Sequence, residues 1–448
     1  MNEYNSILLY INKNMKLGPS ARRINVKGYY IAEGPLRIRI LSGSVALSGA
    51  IFKPKSELIV PLAKSTLLEA LEEATVEVIG SGTLRNIETS TIPNEWGEIV
   101  HEIITKGYRS MVVLGAIDTG KTFFTTYLAN VLFSRGLKVA IVDTDVGQSD
   151  IGPPTTIGLG ILRKPVIFMD QVEPSEIYFI GSTSPAGHLL PMVVGMKKLV
   201  STGLALVDIV LVDTPGMVFG GPARALMLYS TEALRPDLVI VLQKFHELEH
   251  LARQLEALGH NVRRLPASRW VKERDRSDRK LLRERAFYNY FSKRGIRRLT
   301  LDLSRVTIVG SYLGSGSEVP RQIIENIEAI AKLKVEYCEM AMDYMFILFK
   351  DALPSRDTVE KLYSSLGKSG FTIKIHKTGF EKGLVVGLIG DYGKYLDIGV
   401  LERIDFKGGK LILVSPLEDP TTVRAIRIGC VRLNENFREI GKLRPGFI

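Results

Sequence analysis

The spacing of apolar residues changes character along the chain. Up to about Thr91, runs such as LRIRILSG, SVALSGAIF, SELIVPL and ATVEVIGSG roughly alternate apolar and polar positions, with Gly or Lys-Pro between them. A period of two predicts half-buried strands, and the punctuation predicts turns. Residues 1–92 are therefore expected to form a small β-sandwich or barrel-like module. In TIPNEWGEIVHEIITKG the period lengthens: Asn94 is placed to cap a helix carrying Ile99, Ile103 and Ile104 on one face.

From Arg109 the grammar becomes strand, loop, helix, strand. SMVVLG, KVAIVD, DIVLVD and DLVIVLQ are continuous apolar runs, and KTFFTTYLANVLFSRG between the first two is helical and closes on Gly136. Such runs alternating with helices predict an α/β domain, a parallel sheet with helices on both faces, over residues 93–303. From about Ser304 the chain returns to strands and Gly-rich turns (TIVGSYLGSGSE, GLVVGLIGDYG, KLILVSPLEDP). A third, β-rich domain is expected over 304–448, with one helix near 321–334.

Composition changes this picture at one place. Of the formal net charge of +11, a net of +8 falls between Arg269 and Arg298, where twelve Lys/Arg face four Asp/Glu. A local excess of this size points to a polyanionic partner or to bound phosphate. The two cysteines, Cys338 and Cys430, have no metal-ligand spacing and read as small buried hydrophobes of a reducing compartment. The N-terminus MNEYNSILLYINKNMKLG lacks the basic start and long apolar run of a signal peptide. Nowhere do 18 apolar residues run uninterrupted, and GLALVDIVLVDTPG is cut by Asp208 and Asp213. A cytoplasmic protein without a membrane partner is expected.

Gly115-Ala116-Ile117-Asp118-Thr119-Gly120-Lys121-Thr122 fits G-x-x-x-x-G-K-[ST], with an apolar run before it and a helical pattern after it. Glycines let backbone N–H groups converge on phosphates, and the helix N-terminus adds its positive dipole end. Lys121 is expected to bridge the outer phosphates and Thr122 to hold Mg²⁺. The central sheet is thus of the P-loop NTPase type. Two apolar runs end in carboxylates, Asp143 and Asp145 in VAIVDTDVGQSD and Asp213 in DIVLVDTPG, where Mg²⁺ and an attacking hydroxyl are met in such sheets. DTPG also suits the second switch of a GTPase. A guanine-reading Asn-Lys-x-Asp is missing, however, since VIVLQKFHEL offers Gln243-Lys244-Phe245-His246 instead.

His246-Glu247-Leu248-Glu249-His250 matches the zinc pattern H-E-x-x-H. Its place after a sheet strand of a nucleotide-binding domain favours two histidines on a partly exposed helix over a metal site. RWVKERDRSDRKLLRERAFYNYFSKRGIRR is helical in pattern, with Leu281, Leu282, Phe287 and Phe291 on an apolar side and Arg279 and Arg283 sharing a face. Arginines over a phosphate loop stabilise negative charge while water is excluded, so residues 269–298 are expected to act as a lid.

GAIDTGKT, DTDVGQSD, GSTSP (Gly181–Pro185), DTPGM (Asp213–Met217) and the Arg-rich segment follow one another in an order that resembles the polynucleotide 5′-hydroxyl-kinase family. That family includes the RNA kinases of pre-mRNA 3′ processing, tRNA splicing and ribosomal RNA maturation, with archaeal counterparts. The resemblance implies transfer of the γ-phosphate of ATP or another NTP to the 5′-hydroxyl of RNA, with DNA as a further acceptor. Lys121 and Thr122 match the family's phosphate-loop lysine and Mg²⁺ ligand. Asp145 matches the aspartate that organises Mg²⁺ and activates the hydroxyl, and Arg279 and Arg283 match lid arginines. Gln148, Thr183, Thr214, Pro215, Gly216 and Met217 match the clasp on the terminal nucleotide. Met217 stands where several relatives carry a base-stacking Trp; it can pack on a base but offers no π-system. The rival readings are a hydrolysing NTPase switch and a nucleotide-bound scaffold of an RNA-processing complex without transferase activity.

Overall fold

In the computed structural model, residues 21–270, 276–366, 371–444 and 446 are described. The N-terminal stretch of the signal-peptide reading, up to residue 20, and residues 271–275 of the Arg-rich segment lie outside the described residues. By internal contacts the chain forms two units. One comprises residues 1–143, 159–174 and 200–274; the other comprises 144–158, 175–199 and 275–448.

The first unit begins with an antiparallel sheet of β1 (Arg22–Glu33), β2 (Leu36–Ser42), β3 (Val45–Leu47), β4 (Ala50–Phe52), β5 (Glu57–Val60), β6 (Ser65–Gly80) and β7 (Thr83–Ile87). The sixteen-residue β6 is its spine, pairing with β1, β2 and β3. Alternation decides what is buried: Leu36, Ile38 and Ile40 face the core, while Arg37 and Arg39 point out to Glu57 and Glu77. The following helix α1 (Glu95–Lys106) buries Trp96, Ile99, Val100 and Ile103. Ile104, expected on the same face, is exposed, because Trp96, Ile99/Val100 and Ile103 already define a stripe at i, i+3/i+4, i+7. Asn94 occupies the cap position, but its side chain makes no capping bond. Trp96 is the anchor of this helix: its Nε1–H donates to Pro266 O at 2.9 Å, and its ring meets Phe124 edge-on at 4.7 Å.

Next come β8 (Ser110–Gly115), α2 (Lys121–Ser134), β9 (Val139–Asp143), β10 (Thr156–Ile161), β11 (Pro174–Phe179), α3 (Leu189–Leu206), β12 (Ile209–Asp213), α4 (Gly221–Leu234), β13 (Leu238–Gln243), α5 (Glu249–Ala257) and β14 (Val262–Pro266). In the first unit β9, β12, β8, β13 and β14 lie side by side in that order, all parallel. Every residue of β8, β9, β12 and β13 is buried, which is why these strands read as unbroken apolar runs. The β-module and α2 are tied by one buried side chain. Asn130 Nδ2 donates to Ser48 O at 2.8 Å and to Val166 O at 2.7 Å, and its Oδ1 accepts from Val166 N at 3.0 Å.

Helix α3 has the length and apolarity of a membrane-spanning helix, 18 residues with mean hydropathy 1.4. Met192, Met196, Leu199 and Val200 nevertheless form one buried face, as in a helix laid on a sheet.

In the second unit, α6 (Arg276–Arg294) carries the basic segment. Phe287 and Phe291 are fully buried and Phe291 stacks on Phe437 at 4.5 Å, but Leu281, expected on the same side, is exposed. Tyr290 Oη donates to Asp397 Oδ1 at 2.7 Å, and Arg294 pairs with Asp397 Oδ2 at 3.0 Å, so the end of α6 is fixed to strand Tyr395–Asp405. Two sheets follow, one of seven strands and one of four. An inner strand of the smaller sheet, Tyr344–Phe349, divides its side chains by parity. Tyr344, Phe346 and Leu348 enter one core, whereas Met345, Ile347 and Phe349 enter the other together with α7 (Arg321–Ala331) and α8 (Arg356–Leu366). Helix α8 did not stand out in the sequence.

Candidate nucleotide and acceptor site

The phosphate loop is built by local rules. Strand β8 ends at Gly115, and α2 begins at Lys121 with Gly120 as its cap at φ 83°, a conformation that costs glycine little. Asp118 is also left-handed at φ 56°, as Asp tolerates. Thr119 Oγ1 donates to Ala116 O at 2.9 Å, and Lys121 Nζ donates to the same oxygen at 2.8 Å. The lysine is buried, with its ammonium drawn back into the loop that would hold a phosphate. Gly115 to Thr122 thus form one continuous cradle.

The other groups of this site in the first unit come from β12, which neighbours β8, and from β9 beyond it. Asp213, at the end of β12, accepts from Thr122 Oγ1 at 2.7 Å and from Thr125 Oγ1 at 3.4 Å and is almost fully buried. Asp143 ends β9 and stands directly beside Asp213 in the parallel register. Thr214 donates its hydroxyl to Val113 O at 2.7 Å, so that oxygen is committed to the sheet. Pro215 is buried, and Gly216 and Met217 are half-buried. A methyl group on Gly216 would lie 2.7 Å from Ile117 Cγ1 and 3.0 Å from Ile117 Cα, so the loop after β12 rests directly on the phosphate loop.

The second unit holds the remaining predicted residues. Asp145 Oδ1 accepts from Gly147 N at 2.9 Å and Gln148 N at 3.1 Å, a tight turn that fixes the carboxylate through two backbone donors. Gly147 packs near Thr183 O, which brings the DVGQ turn and the GSTSP loop together. Thr183 is buried, and its Oγ1 has no hydrogen-bond partner among the described residues. Thr155 cross-braces these two loops. Its N donates to Val146 O at 3.3 Å, and its O accepts from Ile180 N at 2.9 Å and Gly181 N at 3.1 Å. It does so at φ 75°, which is costly for a β-branched residue. Arg283 is half-buried and its Nε lies 3.3 Å from Glu439 Oε2; Arg279 is half-buried on the same helix.

Asp213 is the residue that sequence reasoning undervalued: it was noted as an acidic strand end but not assigned to the site. Its signal was an apolar run closed by a carboxylate, the same signal that drew attention to Asp143. The histidine motif resolves differently from expectation. The Glu247 carboxylate accepts from Lys244 N and Phe245 N and closes a turn, so α5 starts only at Glu249 and His246 stays off the helix. His250 Nε2 lies 3.1 Å from Val218 O. Among the described residues no group of three His, Cys, Asp or Glu side chains is arranged to hold a metal. Cys338 and Cys430 are buried free thiols, and burial pushes both pKa values up.

The chain is similar to known proteins over most of its length. Residues 115–293 match the family model described as the mRNA cleavage and polyadenylation factor CLP1 P-loop. The polyribonucleotide 5′-hydroxyl-kinase of Thermococcus kodakarensis is 34% identical over 75% of this chain and 91% of its own length. That of Pyrococcus abyssi is 32% identical over 74% and 90%. A solved structure of wild-type Clp1p in complex with Pcf11p shares the fold with a TM-score of 0.61 at 13% identity, covering 93% of this chain and 99% of that one. The chain carries the nucleotide-binding loop of these proteins and belongs to the polynucleotide 5′-hydroxyl-kinase family.

Proposed function

We propose that this protein transfers the γ-phosphate of ATP, or of another NTP, to the 5′-hydroxyl of RNA, with DNA as a further acceptor. The observation that carries the reading is the complete cradle from Gly115 to Thr122, with Lys121 buried against Ala116 O and Thr122 bonded to a buried carboxylate. Keeping that ammonium and that carboxylate out of water costs free energy, which the phosphates and metal of a bound nucleotide offset.

The residues present suit Mg²⁺. A hydroxyl (Thr122) and a buried carboxylate (Asp213) 2.7 Å apart, with Asp143 on the next strand, are the hard oxygen donors this ion takes, and Asp145 is a further candidate ligand. Bound Mg²⁺ would neutralise charge on the outer phosphates. The protein's own groups do the rest. Backbone N–H groups of the loop bind the phosphates, and Lys121 leaves Ala116 O to reach the transferring group. Asp145, held by its two backbone donors, orients the 5′-hydroxyl and takes its proton as the oxygen attacks in line. Gln148, Thr183 and the segment Thr214–Met217 position the terminal nucleotide. The buried hydroxyl of Thr183, unpartnered among the described residues, is a donor or acceptor in reserve for it. Arg279 and Arg283 spread the developing charge.

The test is incubation with γ-labelled ATP, Mg²⁺ and a 5′-hydroxyl oligoribonucleotide, alongside Lys121→Ala and Asp145→Asn. Label on the RNA that is lost in both variants is the expected result. Free phosphate with unlabelled RNA would make the protein a hydrolysing switch, and no turnover would make it a scaffold.

A further inference from the structure

The reading above leaves one cluster of the first unit without a role. Phe219 ends the segment that starts at Thr214, and the residue is 59% exposed. The ring is not loose, because it stacks on His250 with centroids 5.8 Å apart and planes 24° apart. His250 Nε2 is in turn held 3.1 Å from Val218 O, so the imidazole forms a fixed backing. The same segment touches the phosphate loop through Gly216 and Ile117, and the Ile117 side chain is also open to solvent. His250 also lines an open groove of about 840 Å³, together with Gln243, His246, Glu249, Arg253 and Arg264. Phe245, next to His246, is 82% exposed.

Arginines border this surface. Glu249 is engaged by Arg264 at 2.8 Å and more loosely by Arg253 at 3.6 Å, and the Arg253 side chain stays largely exposed. The first turn of α4, directly after Phe219, contains no acidic residue and carries exposed Arg224. A fixed aromatic face, a neighbouring groove of nucleotide dimensions and exposed arginines suit a single-stranded nucleic acid, whose bases stack and whose phosphates need positive charge.

We propose that Phe219, backed by His250, is a stacking platform for a nucleobase of the acceptor strand downstream of its 5′-terminal nucleotide, and that the groove His250 lines takes the strand onward. This rests on the RNA-kinase reading of the phosphate loop. It gives the imidazole of His250 a task other than metal binding, and it supplies the π-surface that Met217 lacks.

The experiment uses the full chain and 5′-hydroxyl oligoribonucleotides in which one nucleotide at a time, from the first to the sixth, is abasic. The wild type is expected to show a raised KM for one or two internal abasic positions. Phe219→Ala should raise the KM for the intact strand by about 5- to 150-fold, the range of one lost base stack. It should also be insensitive to the abasic position that harms the wild type, and Phe219→Tyr should restore both behaviours. A flat abasic profile, or Phe219→Ala acting only on the KM for ATP, would overturn the platform while leaving the kinase intact. Absence of phosphate transfer by the wild type would overturn the kinase reading itself and this inference with it. A purified protein partner competing for the surface, with RNA binding unchanged in Phe219→Ala, would reassign it to protein docking.

Discussion

Gly216→Ala is the sharpest probe of how the loop after β12 acts on bound nucleotide. The added methyl would sit 2.7 Å from Ile117 Cγ1, 3.0 Å from Ile117 Cα and 3.1 Å from Ile117 N. Favourable carbon contacts begin at about 3.5 Å, so these are too close by about 0.4–0.8 Å. The Ile117 side chain is exposed and can rotate away, but its Cα and N cannot move without displacing the phosphate loop. With no nucleotide bound, that loop can shift outward, and the cost to folding should stay near 1 kcal/mol. With nucleotide bound, backbone donors hold the loop on the phosphates, and the usual overpacking cost of about 1–3 kcal/mol is felt as lost affinity. That corresponds to an approximately 5- to 150-fold rise in Kd. Calorimetric titration with a non-hydrolysable ATP analogue, beside urea unfolding of the free protein, separates the two effects. Gly97→Ala is the matched control: nothing lies within 4 Å of its new methyl, and it should stabilise α1 by about 0.4–1 kcal/mol without changing affinity. Nucleotide affinity of Gly216→Ala within twofold of the wild type would refute the idea that this loop braces the phosphate cradle.

Three further outcomes are expected. Asn130→Ala should destabilise the first unit by about 3–5 kcal/mol in urea unfolding, since Ser48 O, Val166 O and Val166 N lose their side-chain partner in the interior. Thr155→Val replaces a fully buried hydroxyl that has no partner among the described residues and should stabilise by about 0.5–1 kcal/mol; a loss of stability would mean that the hydroxyl is satisfied. Hydrogen bonding to Arg264, then to Gln243, holds the Glu249 carboxyl at about 2, below its ordinary 4.5. A depressed carboxyl stabilises the fold above its unfolded value, and that contribution is lost as pH falls through the folded one. Between pH 4.5 and 2, Arg264→Ala should therefore lose less stability than the wild type, by about 1 kcal/mol after solvent screening of this partly exposed pair. Parallel acid-unfolding curves would contradict this.

Much of the architecture was legible because it is written in short-range pattern. The alternating N-terminal strands, the continuous runs of β8, β9, β12 and β13, and the phosphate loop each depend on consecutive residues, so period and motif suffice to find them. Strand β10, TIGLGI, was passed over because its glycines dilute the apolar signal, and β14 because only Leu265 of VRRLP is buried. Helix α8 reads as a polar segment in RDTVEKLYSSL, since a surface helix with a single buried residue, Leu362, has little periodicity to show.

The sequence by itself determined which residues could grip a phosphate and that an apolar parallel sheet would carry them, because those properties follow from chain order and from the covalent chemistry of each side chain. It also marked where positive charge concentrates. Only the tertiary structure decided which carboxylate meets the loop, since Thr122 and Asp213 are 91 positions apart and come together through the parallel pairing of β8 with β12. It likewise took Arg283 to Glu439 and moved His246 off the helix that the motif suggested. The same packing set Phe219 against His250 at the surface. Contacts of this kind depend on how separate elements pack, and no local spacing encodes that.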